Sequence, residues 1–226
     1  MLRTFLLIGF SFIILRGKAA CFSQIASIDT IYAKQFDKQD DNYEPSIEAY
    51  KFSEIWGNWS MPIGKAKASS ALDASGNITY TIKNIDDYDL NTAWIGKKGS
   101  GDYFEFTFHF PENTSYAGAY QFYGICNLFN GYCKSIKIWQ ANSRVKMLKV
   151  YYNNIPICYV LLKDTWQFQT FDIGKYFINR RFKKYMDAHF EIKNGDVLKF
   201  EIVSVYKGSK YKDVAISEFL SEGAGN

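Results

Sequence analysis

The sequence predicts an all-β fold, a sandwich or jelly roll that follows an apolar leader and a polar stretch. Three observations carry that prediction. Aromatic residues make up 18% of the 226 positions, with 17 Tyr, 19 Phe and 5 Trp, and such side chains favour the pleated, half-buried surface of a strand. Short runs of alternating or apolar character recur along the chain between turn residues, the pattern of sandwiches and barrels. Helical periodicity is scarce, and Gly174–Phe190, with Ile178, Phe182 and Tyr185 near one face, is the one stretch that reads as a helix.

In chain order, residues 1–20 come first. Met1-Leu2-Arg3 gives a positive start, Thr4–Leu15 is almost wholly apolar, and Arg16-Gly17-Lys18 breaks the run. That stretch is shorter than the ~20 residues a spanning helix needs and reads as a signal peptide. Ala19-Ala20-Cys21 resembles the end of a bacterial lipoprotein signal, in which Cys21 would carry the lipid, although Lys18 departs from that pattern. Cutting after Ala19 or Ser23 would release a soluble protein instead, so the expectation is export, as a lipoprotein or as a secreted chain. Residues 21–46 hold Asp37, Asp40, Asp41 and Glu44 before Pro45, a composition suited to a tether. The domain is expected over 47–222.

Within it, Tyr103–Phe110 alternates polar and aromatic residues as a half-buried strand does, and Pro111 ends it. Further strands are expected at Ile78–Lys83, Tyr120–Cys126, Ser135–Gln140, Lys146–Tyr152, Ile157–Leu162, Trp166–Ile173, Val197–Tyr206 and Val214–Leu220. Asn130-Gly131, Asn153-Asn154, Asn194-Gly195-Asp196 and Lys207-Gly208-Ser209 supply turns between them.

Composition narrows the function. A net charge of +4 is too small to argue for nucleic acid. The densest basic cluster, Arg180, Arg181, Lys183 and Lys184, reads as a solvated face or as a patch for an anionic partner. Cys126, Cys133 and Cys158 remain once Cys21 is assigned to processing. A bridge between Cys126 and Cys133 across the turn at 127–131 and three core thiols are both compatible with the sequence, and none has zinc-ligand spacing. His109 and His189 lie in no nucleophile or metal motif, and no phosphate-binding glycine loop occurs. The chain is therefore expected not to be an enzyme, with a dispersed active site as the third reading.

The acidic run Asp86-Asp87-Tyr88-Asp89-Leu90-Asn91-Thr92-Ala93-Trp94 stands out. A solvated Asx turn explains it. So does a hard cation such as calcium, which takes several oxygen ligands, if a further acid arrives from elsewhere in the fold. The pairing of this loop with Ala215-Ile216-Ser217-Glu218-Phe219 resembles the discoidin-like, galactose-binding-like jelly roll of coagulation-factor type C domains and bacterial carbohydrate-binding modules. The resemblance implies a structural calcium held by Asp87, Asp89, Thr92 and Glu218. Tyr88 stands where glycine is usual.

Asn130–Ser135, Asn142–Lys146 and Val205–Asp213, in that order, are similar to the translocation domain of bacterial NAD glycohydrolases, a glycan-binding variant of the same fold, over roughly residues 65–220. The catalytic part that follows this domain in those toxins has no counterpart before Asn226, so NAD hydrolysis is not carried over. Sugars are gripped by an aromatic ring under their apolar face and by planar polar side chains on their hydroxyls. The candidate ligand residues are Asn130, Tyr132, Lys134, Asn142, Arg144, Lys210, Tyr211 and Asp213, with Trp56 and Trp59 a second platform. The expected function is recognition of a glycan or glycoconjugate at a bacterial surface or envelope. The alternative is a protein-interaction or toxin-delivery accessory that binds no sugar.

Overall fold

The computed structural model describes residues 28–35, 44–46, 59–60, 65–109, 120–176 and 194–225. The first strands are β1 (Thr30–Tyr32), β2 (Lys34–Gln35), β3 (Trp59–Ser60), β4 (Lys65–Ala68), β5 (Trp94–Gly96) and β6 (Tyr103–Thr107). They are followed by β7 (Tyr120–Asn130), a short helix α1 (Ile136–Ala141), β8 (Ser143–Tyr152) and β9 (Ile155–Leu161). The last are β10 (Phe168–Asp172), β11 (Val197–Tyr206) and β12 (Val214–Gly225).

One layer runs β2-β10-β7-β12 and the other β4-β6-β11-β8-β9, with β1 added in parallel to β9. The two join where β12 pairs briefly in parallel with β8, Val214 beside Ser143 and Ala215 beside Arg144. Alternation drives this packing. β6 turns Phe104 and Phe106 inward, leaving Tyr103, Glu105 and Thr107 outward, and β11 buries Leu198, Phe200 and Ile202 in the same way. The inward rings meet those of the opposite layer: Phe219 on β12 lies 4.7 Å from Phe200, 5.1 Å from Phe104 and 5.4 Å from Phe106 by ring centroids. Interdigitated rings of this kind dominate a sandwich core.

The all-β expectation holds, and most strands fall where alternation places them. Three local readings do not. Ile78–Lys83 forms no strand: Ile78 makes an isolated bridge to Ser75, and Ile82–Ile85 is a 3-10 turn. Ser135–Gln140 is helical, because the Ser135 side chain accepts the Ile138 amide and caps α1. Part of the expected tether is sheet, since β1 and β2 pair with β9 and β10 and Ala33 is buried in the core. Residues 1–27, the Arg180–Lys184 cluster, Trp56 and most of the expected helix 174–190 lie outside the described residues. Among the described residues no helix is long and apolar enough to cross a membrane.

Cys126, Cys133 and Cys158 are buried and form no disulfide. Cys126 faces the main core and Cys133 a separate cluster with Phe129, Trp139 and Trp166, so the bridge between them is not formed.

Candidate functional site

The acidic loop closes on itself and on the last strand. Asn84 donates to the carbonyls of Thr79 and Ala93, which pins the base of the loop. Asp87 Oδ1 accepts the Asp89 amide at 3.1 Å, and its Oδ2 accepts the Thr92 hydroxyl at 2.7 Å. Asp89 Oδ1 accepts both the amide and the side-chain nitrogen of Asn91. Tyr88 has φ 60°, the left-handed region that favours glycine. A tyrosine holds that conformation at a cost of about 1 kcal/mol.

Glu218 reaches this turn from β12. Pairing of β12 with β5, Ile216 beside Trp94, brings the strand alongside, and Glu218 Oε1 accepts the Asp89 amide at 2.9 Å. The side chain is fully buried and its Oε2 has no hydrogen-bond partner. Burial, then the facing Asp87 carboxyl, pushes Glu218 up to about 9. Burial and the neighbouring Asp87 likewise raise Asp86. The residues singled out as Asp87, Asp89, Thr92 and Glu218 therefore meet. An orphaned, buried carboxylate oxygen facing a second carboxylate suits a hard cation, whose remaining ligands are carbonyls and water. Among the described residues, no three His, Cys, Asp or Glu side chains converge as a ready-made cage, so the acids alone do not complete a coordination sphere.

The loop is stitched to the segment after β7. Tyr132 donates its hydroxyl to the Asn91 carbonyl at 2.9 Å, the Cys133 amide donates to Ser217 Oγ, and Ser217 Oγ donates to the Thr92 carbonyl. A cleft of about 180 Å³ opens beside it, lined by Glu44, Leu90, Asn91, Lys134, Ser135 and Trp166 among others. That is smaller than the ~300 Å³ at which pockets for drug-sized ligands begin.

The segments that carry the sequence resemblance pack together at this end of the sandwich. Gly131 has φ 102°, and a Cβ there would fall 2.6 Å from Trp139 and 2.7 Å from Arg144, so only glycine lets those side chains close over the turn. Arg144 stacks on Trp139 at 4.4 Å and binds Asp164 bidentately at 2.9–3.0 Å. It also donates to the carbonyls of Asn142 and Lys207. Gly208 lies against α1, where a Cβ would meet the Ala141 carbonyl at 2.4 Å.

The predicted ligand residues divide by exposure. Asn130, Tyr132, Asn142 and Arg144 are buried. The Asn130 side chain spans Val145 and the Asn142 side chain donates to Ile138, each serving the fold. Arg144 pairs with Asp164. Lys134, Lys210 and Tyr211 are exposed, Asp213 is half-buried, and Lys210 Nζ lies 4.9 Å over the Tyr211 ring.

One structural centre escaped the sequence reading. Asp102 is fully buried and accepts from Ser69 Oγ, Ser70 Oγ and the amides of Lys98 and Gly99. A single aspartate after Gly-Ser-Gly gives no signal beyond a turn, and its serine partners lie over thirty positions upstream. On the outer face of β6, β8, β9 and β11, Lys149 lies over Tyr151 and Tyr159, Lys199 over Tyr103 and Tyr151, and the Tyr151 hydroxyl donates to Glu201. Those rings and charges engage one another.

A two-layered sandwich closed by its last strand, with an acidic loop beneath that closure, defines the discoidin-like class. The chain matches the NAD glycohydrolase translocation F5/8 type C domain over residues 59–221, well over half its length, and it belongs to that family. No curated protein matches it. Among solved structures it is similar to the CBM32-1 and CBM32-2 domains of ZmpB from Clostridium perfringens, at 10% identity and a TM-score of 0.52 over 88% of this chain. The same domains in complex with GalNAc match equally well. A larger ZmpB fragment that adds the M60 catalytic domain matches at 12% identity and a TM-score of 0.50 over 89% of this chain. The chain spans 42%, 41% and 17% of those three chains, and at such identity the likeness shows the fold.

Proposed function

We propose that the chain is an exported, non-catalytic module that recognises a glycan or glycoconjugate at a bacterial surface or envelope. The single observation that carries this is the convergence of the family's ordered segments, 130–135, 142–146 and 205–213, on one loop end that presents Lys134, Lys210 and Tyr211 to solvent. Buried Asn130, Asn142 and Arg144 hold those loops, and the exposed residues face the ligand. Membership of a translocation-domain family and a fold shared with CBM32 domains solved in complex with GalNAc support the reading. Residues 1–20 act as the export signal, and Cys21 is the site of any lipid anchor.

Calcium is the cation assigned to Asp87, Asp89, Thr92 and Glu218. It would fix the loop that supports Tyr132 and satisfy the Glu218 oxygen, a structural role. The test of function is a broad glycan array with the purified chain. Saturable binding of at least one glycan supports the reading, and no binding to any removes it. The translocation family favours a second reading, a delivery accessory that engages a protein. Co-purification with one protein partner, together with a blank array, selects it.

A further inference from the structure

Six exposed lysines lie on segments that meet around one exposed tyrosine. Lys97, Lys98, Lys137, Lys207, Lys210 and Lys212 are all exposed, and Tyr211 is 43% exposed. The backbone brings them together. The amides of Ser209, Lys210 and Tyr211 donate to the carbonyls of Gln140 and Ala141 at the end of α1, the helix that carries Lys137. On the other side, Val214 pairs with Gly96, and a Cβ on Gly99 would sit 3.5 Å from the Lys212 carbonyl, so Lys97 and Lys98 border the same loop. Ser143 Oγ donates to the Tyr211 carbonyl and accepts the Gly208 amide, which fixes the loop from below.

Little negative charge opposes them. Asp73 pairs with Lys97 at 2.9 Å, Asp164 is committed to Arg144, Asp102 is buried among its own donors, and Asp213 is half-buried. Among the described residues Lys98, Lys137, Lys207, Lys210 and Lys212 have no carboxylate within ion-pair distance. Like charges carried on adjoining segments repel one another and gain from an anion that spans them. The loop between Lys207 and Lys212 carries no aliphatic side chain that could enter a bilayer. Its one ring, Tyr211, has Lys210 Nζ 4.9 Å over it and is still 43% exposed, a surface on which a sugar can stack.

We propose that the ligand of this loop end is an anionic polysaccharide, bearing uronate or sulfate groups, with Tyr211 under a sugar ring and the lysines on its charges. This rests on the glycan reading above and names the class of glycan.

The test measures affinity of the full chain for polygalacturonate, chondroitin sulfate, a neutral galactan, single-stranded DNA, and phosphatidylcholine vesicles with and without phosphatidylserine. Expected is binding to one or both acidic polysaccharides at least about tenfold tighter than to galactan, weakening as salt is raised. The combined change Lys207→Glu, Lys210→Glu and Lys212→Glu should abolish that preference, whereas Lys65→Glu with Lys67→Glu on β4 should preserve it. Tyr211→Ala keeps the charge and should weaken the polysaccharide several-fold. Retained circular dichroism and melting temperature show that the variants fold. Preference for galactan, unaltered by charge reversal, overturns this proposal and leaves the glycan reading standing. Binding only to phosphatidylserine vesicles, or to DNA as tightly as to the polysaccharides, also overturns it. Failure to bind any glycan removes both.

Discussion

Replacing Glu218 by glutamine separates the electrostatics of the acidic loop from its packing. The side chain is 0% exposed, and in the cation-free protein burial and the facing Asp87 raise its carboxyl from 4.5 to about 9. Between those values the folded state holds a proton that the unfolded state has released. Stability from this group is fully present below about 4.5 and is lost as pH rises toward about 9, at about 1.4 kcal/mol per pH unit. From pH 5 to pH 8 the loss amounts to about 4 kcal/mol, an upper figure for a group whose surroundings relax. Glutamine carries no such proton. In chelator, therefore, wild type should lose stability relative to Glu218→Gln across that range, and the variant should be the more stable at pH 8. Calcium should narrow the gap at pH 8, because only the wild type offers a carboxylate at position 218; binding at a hundredfold excess over Kd adds about 2.7 kcal/mol. Urea titrations of both proteins at pH 5 and pH 8, with chelator and with calcium, read these differences. Parallel pH profiles for the two proteins in chelator would refute the electrostatic reasoning, and an equal response to calcium would refute the ligand assignment.

At Tyr88, with φ 60°, Tyr88→Gly should be more stable than Tyr88→Ala by about 1 kcal/mol, since only glycine adopts that conformation without strain; thermal melts of the pair decide it. Arg144→Ala removes the partner of a solvent-reached Asp164 and strips donors from the Asn142 and Lys207 carbonyls, so urea unfolding should show a loss of about 2 kcal/mol, mostly from the lost hydrogen bonds. A change near zero would mean the stack on Trp139 and the ion pair add nothing. Burial pushes the Cys133 and Cys158 thiols up to about 12. Iodoacetamide at pH 8 should label Cys126, Cys133 and Cys158 only after denaturation, and rapid native labelling of any of them contradicts their burial.

Strands with one solvent-facing side were legible because period-two alternation survives folding intact, as at Tyr103–Thr107 and Val197–Tyr206. The meeting of Glu218 with the acidic loop was legible only through resemblance, since nothing local links positions 129 residues apart. Ile136-Lys137-Ile138-Trp139 alternates like a strand, yet one serine cap and the inward pull of Trp139 make it helical. β4 and β5 are four and three residues long, too short for periodicity to register. The acidic composition of residues 37–44 hid the short strands at 30–35 that complete sheet edges. The candidate ligand residues fall in one neighbourhood, but sequence could not sort buried Asn130 and Arg144 from exposed Lys210 and Tyr211, because each is a polar-tipped side chain that serves a fold or a surface equally well.

The account rests most on one end of the sandwich being the ligand face. Backbone amide NMR of the chain, titrated with an oligosaccharide that binds on the array, maps that face directly. The account predicts that the largest shifts fall in 134–144 and 207–213. Shifts confined to the outer strands carrying Tyr103, Tyr151 and Tyr159 would contradict it.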